Sequence, residues 1–132
     1  MISHVFVGIG DFEPALNFYS AVLAELGLVL KFSDPHKPWA GWMSPLAARP
    51  LFVISKPYDG QHAAPGNGQM VALLAPTRAA VDRAYATAIA MGGACEGAPG
   101  LRPHYHADYY GAYFRDLDGN KIGICCHDAE TS

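Results

Sequence analysis

Hydrophobic and polar residues alternate over residues 2–8, the first β-prone segment of the chain. Successive side chains of a strand point to opposite faces of its sheet, so His4 and Phe6 are predicted to share one face. Asp11 has a side chain preferred at a helix N-cap, and Gly27 is typical of the position after a helix end. Apolar residues recur between them at helical spacing: Leu16, Tyr19, Leu23 and Leu26. The pattern therefore predicts a strand followed by an amphipathic helix.

Shorter β-prone segments follow this helix. They lie at residues 28–32, 39–43 and 51–54. Residues 57–68 then contain a dense series of Pro and Gly. These residues interrupt regular structure, so this segment is predicted to be a linker between two halves of the chain.

The second half of the chain repeats the first. Met70, Thr77, Tyr85 and Gly93 each lie 66 positions after His4, Asp11, Tyr19 and Gly27. The repeat predicts a strand over 69–75, a helix from Thr77 that ends at Gly92 and Gly93, and strands at 94–97, 110–115 and 121–126.

Each half therefore reads as a βαβββ module. We predict a single α+β domain with module one at about 1–56, the linker at 57–68 and module two at 69–127. Four strands and one helix do not easily cover their own apolar sheet face, so two such units are expected to pair around a shared cleft.

Composition limits the function classes. The chain has 132 residues, of which 51% are hydrophobic and 16% charged, enough for one sizeable core. The net charge of −3 and the scattered basic residues argue against nucleic-acid binding. No run of about 18 apolar residues predicts a membrane span. The first residues do not resemble a signal peptide, and three cysteines are no disulfide framework, so we expect a cytoplasmic protein.

The last predicted strand pair encloses a polar turn, Asp116–Asn120. Such a turn between two β-prone runs indicates a hairpin. In the second strand, Gly123 and Cys125 share one face by alternation. Glycine weakens a strand interior and usually marks a bulge or the close approach of another group, which makes Gly123 unusual.

Three separated motifs resemble the vicinal oxygen chelate superfamily, which holds glyoxalase I, bleomycin-resistance proteins and extradiol dioxygenases. The motifs are Ser3–Val7 with Asp11–Tyr19, Gly66–Ala72 and Phe114–Ile122. The resemblance implies a curved eight-stranded sheet around a cleft. It does not imply one reaction, because this fold hosts isomerases, dioxygenases, lyases and binding proteins.

The same resemblance implies a divalent metal held by the first and last strands of each module. Its ligand positions fall on His4, near Val53, on Met70 and on Gly123. Only His4 offers a donor suited to a hard cation, because a thioether is soft and the other two side chains have no donor. We therefore predict that the standard metal site is absent and that no cofactor is needed. A divalent metal held by His4, His104 and His106 remains the alternative.

The densest polar and aromatic cluster lies between Arg102 and Tyr110. It is interpreted as a loop that lines the cleft, with His106 as a proton carrier; the alternative is a histidine-rich surface loop. The predicted cleft residues are His4, Phe6, Trp42, Phe52, Met70, His104, His106, Tyr110 and Gly123. The catalytic candidates are His4, His106 and Tyr110.

Two functions from different classes fit these features. One is a small-molecule binding protein with an aromatic-lined cleft and no catalytic metal. The other is a glyoxalase-type lyase or isomerase that uses an unorthodox metal site or none. Whether the protein is an enzyme stays open, and in either case we expect a homodimer, because paired-module folds of this kind commonly bury sheet edges against a partner chain.

Overall fold

A computed structural model describes residues 1–130. Its first five elements are β1 (His4–Gly8), α1 (Phe12–Ala24), β2 (Val29–Asp34), β3 (Trp39–Met43) and β4 (Leu51–Ser55). The next five are β5 (Val71–Leu74), α2 (Arg78–Ala90), β6 (Ala94–Leu101), β7 (Tyr110–Arg115) and β8 (Lys121–Cys126). The order βαβββ thus occurs twice, and the tandem α+β modules predicted from the repeat are confirmed.

The strands form two four-stranded mixed sheets. Sheet one has the order β1-β4-β3-β2, and sheet two has the equivalent order β5-β8-β7-β6. The first and last strands of each module pair in parallel, with His4 opposite Leu51 and Ala72 opposite Gly123. The other neighbours are antiparallel.

The helix ends follow the predicted residue types, with two differences. Gly27 has φ +76° directly after the helical turns, a conformation that glycine adopts without strain. In the second module Gly92 takes the left-handed conformation, at φ +103°, rather than Gly93. Thr77 caps α2 by accepting a hydrogen bond from the amide of Ala80 at 3.0 Å, whereas the side chain of Asp11 makes no such bond.

One continuous hydrophobic core lies on the helix-facing sides of the two sheets. The alternation predicted for β8 is confirmed, because Ile122, Ile124 and Cys126 belong to this core. Helix α1 reaches sheet two through Phe18, whose ring centroid is 6.0 Å from that of Phe114. The modules are therefore joined by packing of α1 of module one against sheet two of module two.

The turn after β7 ties module two to module one. Asp116 is buried, and its Oδ2 accepts hydrogen bonds from the Tyr19 hydroxyl at 2.5 Å and from the Asn120 side chain at 2.9 Å. Its Oδ1 accepts the amides of Asp118 and Asn120. The Asn120 side chain also donates to the carbonyl of Gly8 at 2.8 Å. Burial, and then the neighbouring Asp116 carboxylate, raise the pKa of Tyr19 well above its usual value.

Strand β6 continues to Leu101, past the predicted end at residue 97. The added segment contains Pro99, which cannot donate a backbone hydrogen bond to a neighbouring strand. β6 is an edge strand that pairs only with β7, and edge strands tolerate proline. Among residues 1–130, neither helix is long and apolar enough to cross a membrane.

Candidate functional site

Each sheet turns one face to the shared core and leaves the other face open. On the open face of sheet one, Phe6 is 56% exposed, and its ring lies 6.1 Å from His4 and 6.5 Å from Trp39. Phe32 continues this row, with its ring 4.7 Å from Trp39. The predicted shared face of His4 and Phe6 is thus confirmed, and both side chains contribute to an aromatic surface.

The four metal positions implied by the resemblance do not fit a hard divalent cation. His4 is exposed, and its Nδ1 is 2.9 Å from the Ser3 hydroxyl. Val53 has no donor atom, and Met70 offers only a thioether, a ligand for soft ions. Among residues 1–130, no three His, Cys, Asp or Glu side chains come together where they could hold one ion.

On the open face of sheet two, the ring of Tyr113 fills the space beside Gly123. Tyr113 lies opposite Gly123 on β8 and opposite Gly97 on β6. A Cβ atom added at Gly123 would lie 3.2 Å from two ring carbons of Tyr113 and 3.3 Å from the Met70 sulfur. A Cβ at Gly97 would lie 3.0 Å from another ring carbon. The ring therefore lies flat across two glycines, at the position that the resemblance assigns to a metal-binding carboxylate.

A second tyrosine lies beside it. The Tyr109 ring covers Gly111, where an added Cβ would lie 2.8 Å from Cε1 of that ring. The hydroxyls of Tyr109 and Tyr113 form a hydrogen bond of 2.9 Å. Burial raises the pKa of Tyr109 well above its usual value, and the bond to Tyr113 adds to this effect. The Tyr109 phenol therefore stays protonated at neutral pH.

Cys125, His127 and His106 extend this polar surface. Cys125 Sγ lies 3.5 Å from Nε2 of His127, whose Nδ1 is 2.8 Å from Nε2 of His106. The amide of Asp108 donates to Nδ1 of His106 at 3.2 Å. If both rings are neutral, this amide assigns the tautomers: His106 donates to His127, and His127 donates to the sulfur. Burial raises the pKa of Cys125, so the sulfur is held as a thiol.

The sequence pattern indicated only part of this network. His127, which follows the last predicted strand, is exposed, yet it forms a hydrogen bond with His106 and contacts Cys125. The sequence signal for the contact between Cys125 and His127 is their spacing, because residues two apart in a strand share a face. Tyr113 gave no such signal, since its importance depends on which residues lie opposite it.

Two other predicted residues lie apart from this network. His104 is exposed in the loop between β6 and β7, with its ring 4.3 Å from that of Tyr105. Tyr110 lies on the helix-facing side of β7, and its hydroxyl donates to Asp82 of α2 at 2.6 Å. This hydrogen bond, burial and the charge of Asp82 raise the pKa of Tyr110 to about 12. Tyr110 therefore does not share a face with His106.

An apolar pocket of about 430 Å³ lies between sheet one and β5. Trp42 and Phe52, which are 2% and 4% exposed, line it together with Met70. Val5 and Leu73 contribute further walls. Among the described residues that line this pocket, only Ser44 and Trp42 carry a polar side-chain group, and none is charged. The structure thus brings three of the predicted cleft residues together in one cavity, separate from His4.

The comparisons with known proteins agree with this architecture. The sequence model of the Glyoxalase/Bleomycin resistance protein/Dioxygenase superfamily matches residues 1–124. A solved glyoxalase/bleomycin resistance protein from Albidiferax ferrireducens T118 is 37% identical, with a TM-score of 0.83 over 97% of this chain and 99% of that chain. No curated protein sequence matches significantly.

More distant solved structures share the fold. Lactoylglutathione lyase from Agrobacterium tumefaciens is 20% identical, with a TM-score of 0.66 over 96% of this chain and 92% of that chain. TioX from Micromonospora sp. ML1 is 16% identical, with a TM-score of 0.66 over 97% of this chain and 99% of that chain. At these identities the likeness concerns the fold alone.

Proposed function

Because this chain belongs to the glyoxalase/bleomycin resistance protein/dioxygenase superfamily, we propose that it binds a small organic molecule without a divalent metal. The observation that carries this proposal is the apolar pocket lined by Trp42, Phe52 and Met70. Its volume of about 430 Å³ lies within the range of roughly 300–1,000 Å³ that is usual for small-molecule sites.

The lining of the pocket defines the ligand class. Its walls are aliphatic and aromatic carbon, so binding is driven by the removal of apolar ligand surface from water. A charged group placed there would lose its hydration without gaining an ion-pair partner, because no charged side chain lines the described wall. The part of the ligand that enters this pocket is therefore uncharged and largely apolar.

The donor set supports the absence of a metal. A catalytic zinc site usually needs three protein ligands, and the family positions supply one imidazole and no carboxylate. The bulk of Tyr113 and Met70 beside Gly123 adds a steric argument against an ion there. Free cysteines at positions 95, 125 and 126 are consistent with the reducing conditions of a cytoplasm.

We also propose a homodimer. Each sheet ends in edge strands whose outer backbone groups have no strand partner in the described chain. Large apolar side chains are exposed on these edges, including Leu30 at 49%, Leu74 at 71% and Leu101 at 49%. Edges of this kind are commonly covered by a second copy.

A second candidate function is a glyoxalase-type lyase or isomerase. The favouring observation is the open face of sheet two, where two phenols, two imidazoles and a thiol are hydrogen-bonded or in contact. Such groups can move protons. Isomerisation of the methylglyoxal–glutathione hemithioacetal by the purified protein would favour this alternative over binding alone.

Filling the pocket tests the proposed function. A neutral apolar dye, N-phenyl-1-naphthylamine, should bind with increased fluorescence. Ala72 lines the pocket and is exposed, so A72F places a ring in the cavity without removing core atoms. We expect A72F to weaken dye binding by about tenfold or more, equivalent to roughly 1.4 kcal/mol.

The matched control is A86F, which adds the same ring to the exposed surface of α2. This variant should bind the dye like the unmodified protein. Equal dye affinity of A72F and the unmodified protein would show that the pocket is not the binding site.

A further inference from the structure

We infer that the open face of sheet two contains a second site, which binds a planar organic anion of the aromatic carboxylate class. Its parts are the ring of Tyr113 and the cationic side chains of Arg102 and Lys121. The inference goes beyond the proposed function, because none of these residues lines the apolar pocket.

The ring of Tyr113 provides a flat surface. Because glycine lies opposite it on both neighbouring strands, one face of the ring rests on the sheet. The side chain remains half-buried rather than covered by other parts of the described chain. The opposite face of the ring is thus available to an aromatic ligand, which gains from offset stacking and from leaving water.

Two cations adjoin this ring. The guanidinium carbon of Arg102 lies 5.6 Å from the ring centroid, and Nζ of Lys121 lies 5.8 Å from it. Within residues 1–130, neither side chain forms an ion pair. Glu96 lies near Lys121 but bonds Arg115 at 2.8 Å, and this bond lowers the pKa of Glu96. Within the described part of the chain, no carboxylate is therefore paired directly with Arg102 or Lys121.

Two backbone carbonyls fix the position of the Arg102 guanidinium. Its Nη2 donates to the carbonyl of Ala98 at 2.7 Å, and its Nη1 donates to that of Leu101 at 3.4 Å. A guanidinium has five N–H donors, so others remain for a carboxylate. Arginine also suits this task because it both stacks on rings and forms charge-assisted bonds with carboxylates.

The chemistry of the ligand follows from these groups. An aromatic ring stacks on Tyr113, and its carboxylate meets Arg102 and Lys121. The phenol pair of Tyr113 and Tyr109 offers a further hydrogen bond to an oxygen on the ligand. A neutral aromatic amide would lose the ion pair, and an aliphatic carboxylate would lose the stacking.

Calorimetric titration at low ionic strength with three probes tests the inference: benzoate, benzamide and cyclohexanecarboxylate. We expect benzoate to bind about tenfold tighter than either of the others. R102Q should lose most of the preference for benzoate over benzamide. Y113L should lose the preference for benzoate over cyclohexanecarboxylate.

R49Q is the matched control, because Arg49 is an exposed arginine in the connection between β3 and β4. It should behave like the unmodified protein. Should R102Q fold poorly, the salt dependence of the unmodified protein decides: salt must weaken benzoate binding and leave benzamide binding unchanged.

Equal affinity for benzoate and benzamide, or an unchanged preference in R102Q, would overturn the inference and leave the cations as packing around the ring. R102Q changes no residue that lines the apolar pocket, so this variant should bind N-phenyl-1-naphthylamine like the unmodified protein. Loss of dye binding and loss of benzoate binding can therefore be assigned to different sites.

Discussion

Tyr19 and Tyr85 occupy equivalent positions in the two modules but have different surroundings. The Tyr19 hydroxyl is buried and donates to the Asp116 carboxylate, which also accepts bonds from its own turn. Tyr85 is only half-buried, with Cys95 as the hydrogen-bonding neighbour that contributes most to its raised pKa. The repeat thus preserves the residue type and not its energetic role.

Removing the Tyr19 hydroxyl should therefore cost more than removing that of Tyr85. We expect Y19F to lower the free energy of unfolding by about 2 kcal/mol, because a buried bond to a charged group contributes roughly 1.5–3 kcal/mol. Y85F should change it by no more than about 0.5 kcal/mol. Urea denaturation of the two variants checks this, and equal losses would contradict the role given to Asp116.

Single-residue predictions succeeded where they depended on alternation along one strand. The face shared by His4 and Phe6 and the core residues of β8 follow from a period of two. The bond from Tyr19 to Asp116 spans 97 positions of sequence. No local pattern indicates such a pair, because it depends on how α1 packs against sheet two.

At the scale of elements, the central feature is Tyr113 of β7, which lies between Gly97 of β6 and Gly123 of β8. Glycine is unusual inside a strand, and the sequence places Gly123 there. The structure gives a physical reason: Tyr113 and Met70 approach the place where its side chain would start. The position is therefore adapted to a neighbouring ring as well as lacking a carboxylate.

A carboxylate restored at this position should clash with Tyr113. We expect G123E to reduce the free energy of unfolding by roughly 1–3 kcal/mol, as is usual for overpacking. In a Y113A background the same change should cost less, with a coupling of at least about 1 kcal/mol. A double-mutant cycle by chemical denaturation measures this coupling; strictly additive costs would show that the ring does not occupy that space.

The order of elements could be predicted because the repeat supports each assignment twice. The helix ends and the last hairpin follow from capping and turn residues. The length of β6 could not be predicted, because a proline excludes a central strand but not an edge strand. Which strand lies at the edge depends on the sheet order, which local sequence patterns do not specify.

At the scale of the whole molecule, the predicted cleft is divided among several surfaces. Trp42, Phe52 and Met70 line the apolar pocket, whereas His4 and Phe6 lie on the open face of sheet one. Composition and alternation predicted which side chains are apolar and which faces they share. They could not predict this division, because the arrangement of the two modules follows from packing between the two helices and between α1 and sheet two.

The open sheet edges lead to the last prediction, which concerns assembly. Leu74 is 71% exposed on the edge strand β5, where a second copy would cover it. We expect light scattering after gel filtration to give the mass of two 14.1 kDa chains for the unmodified protein. L74K should shift the population to single chains, because a lysine buried in an apolar interface loses its hydration. I89K places the same charge on the exposed surface of α2 and should remain dimeric. A single-chain mass for the unmodified protein at every concentration would refute the homodimer, and dissociation of both variants alike would refute the role of β5.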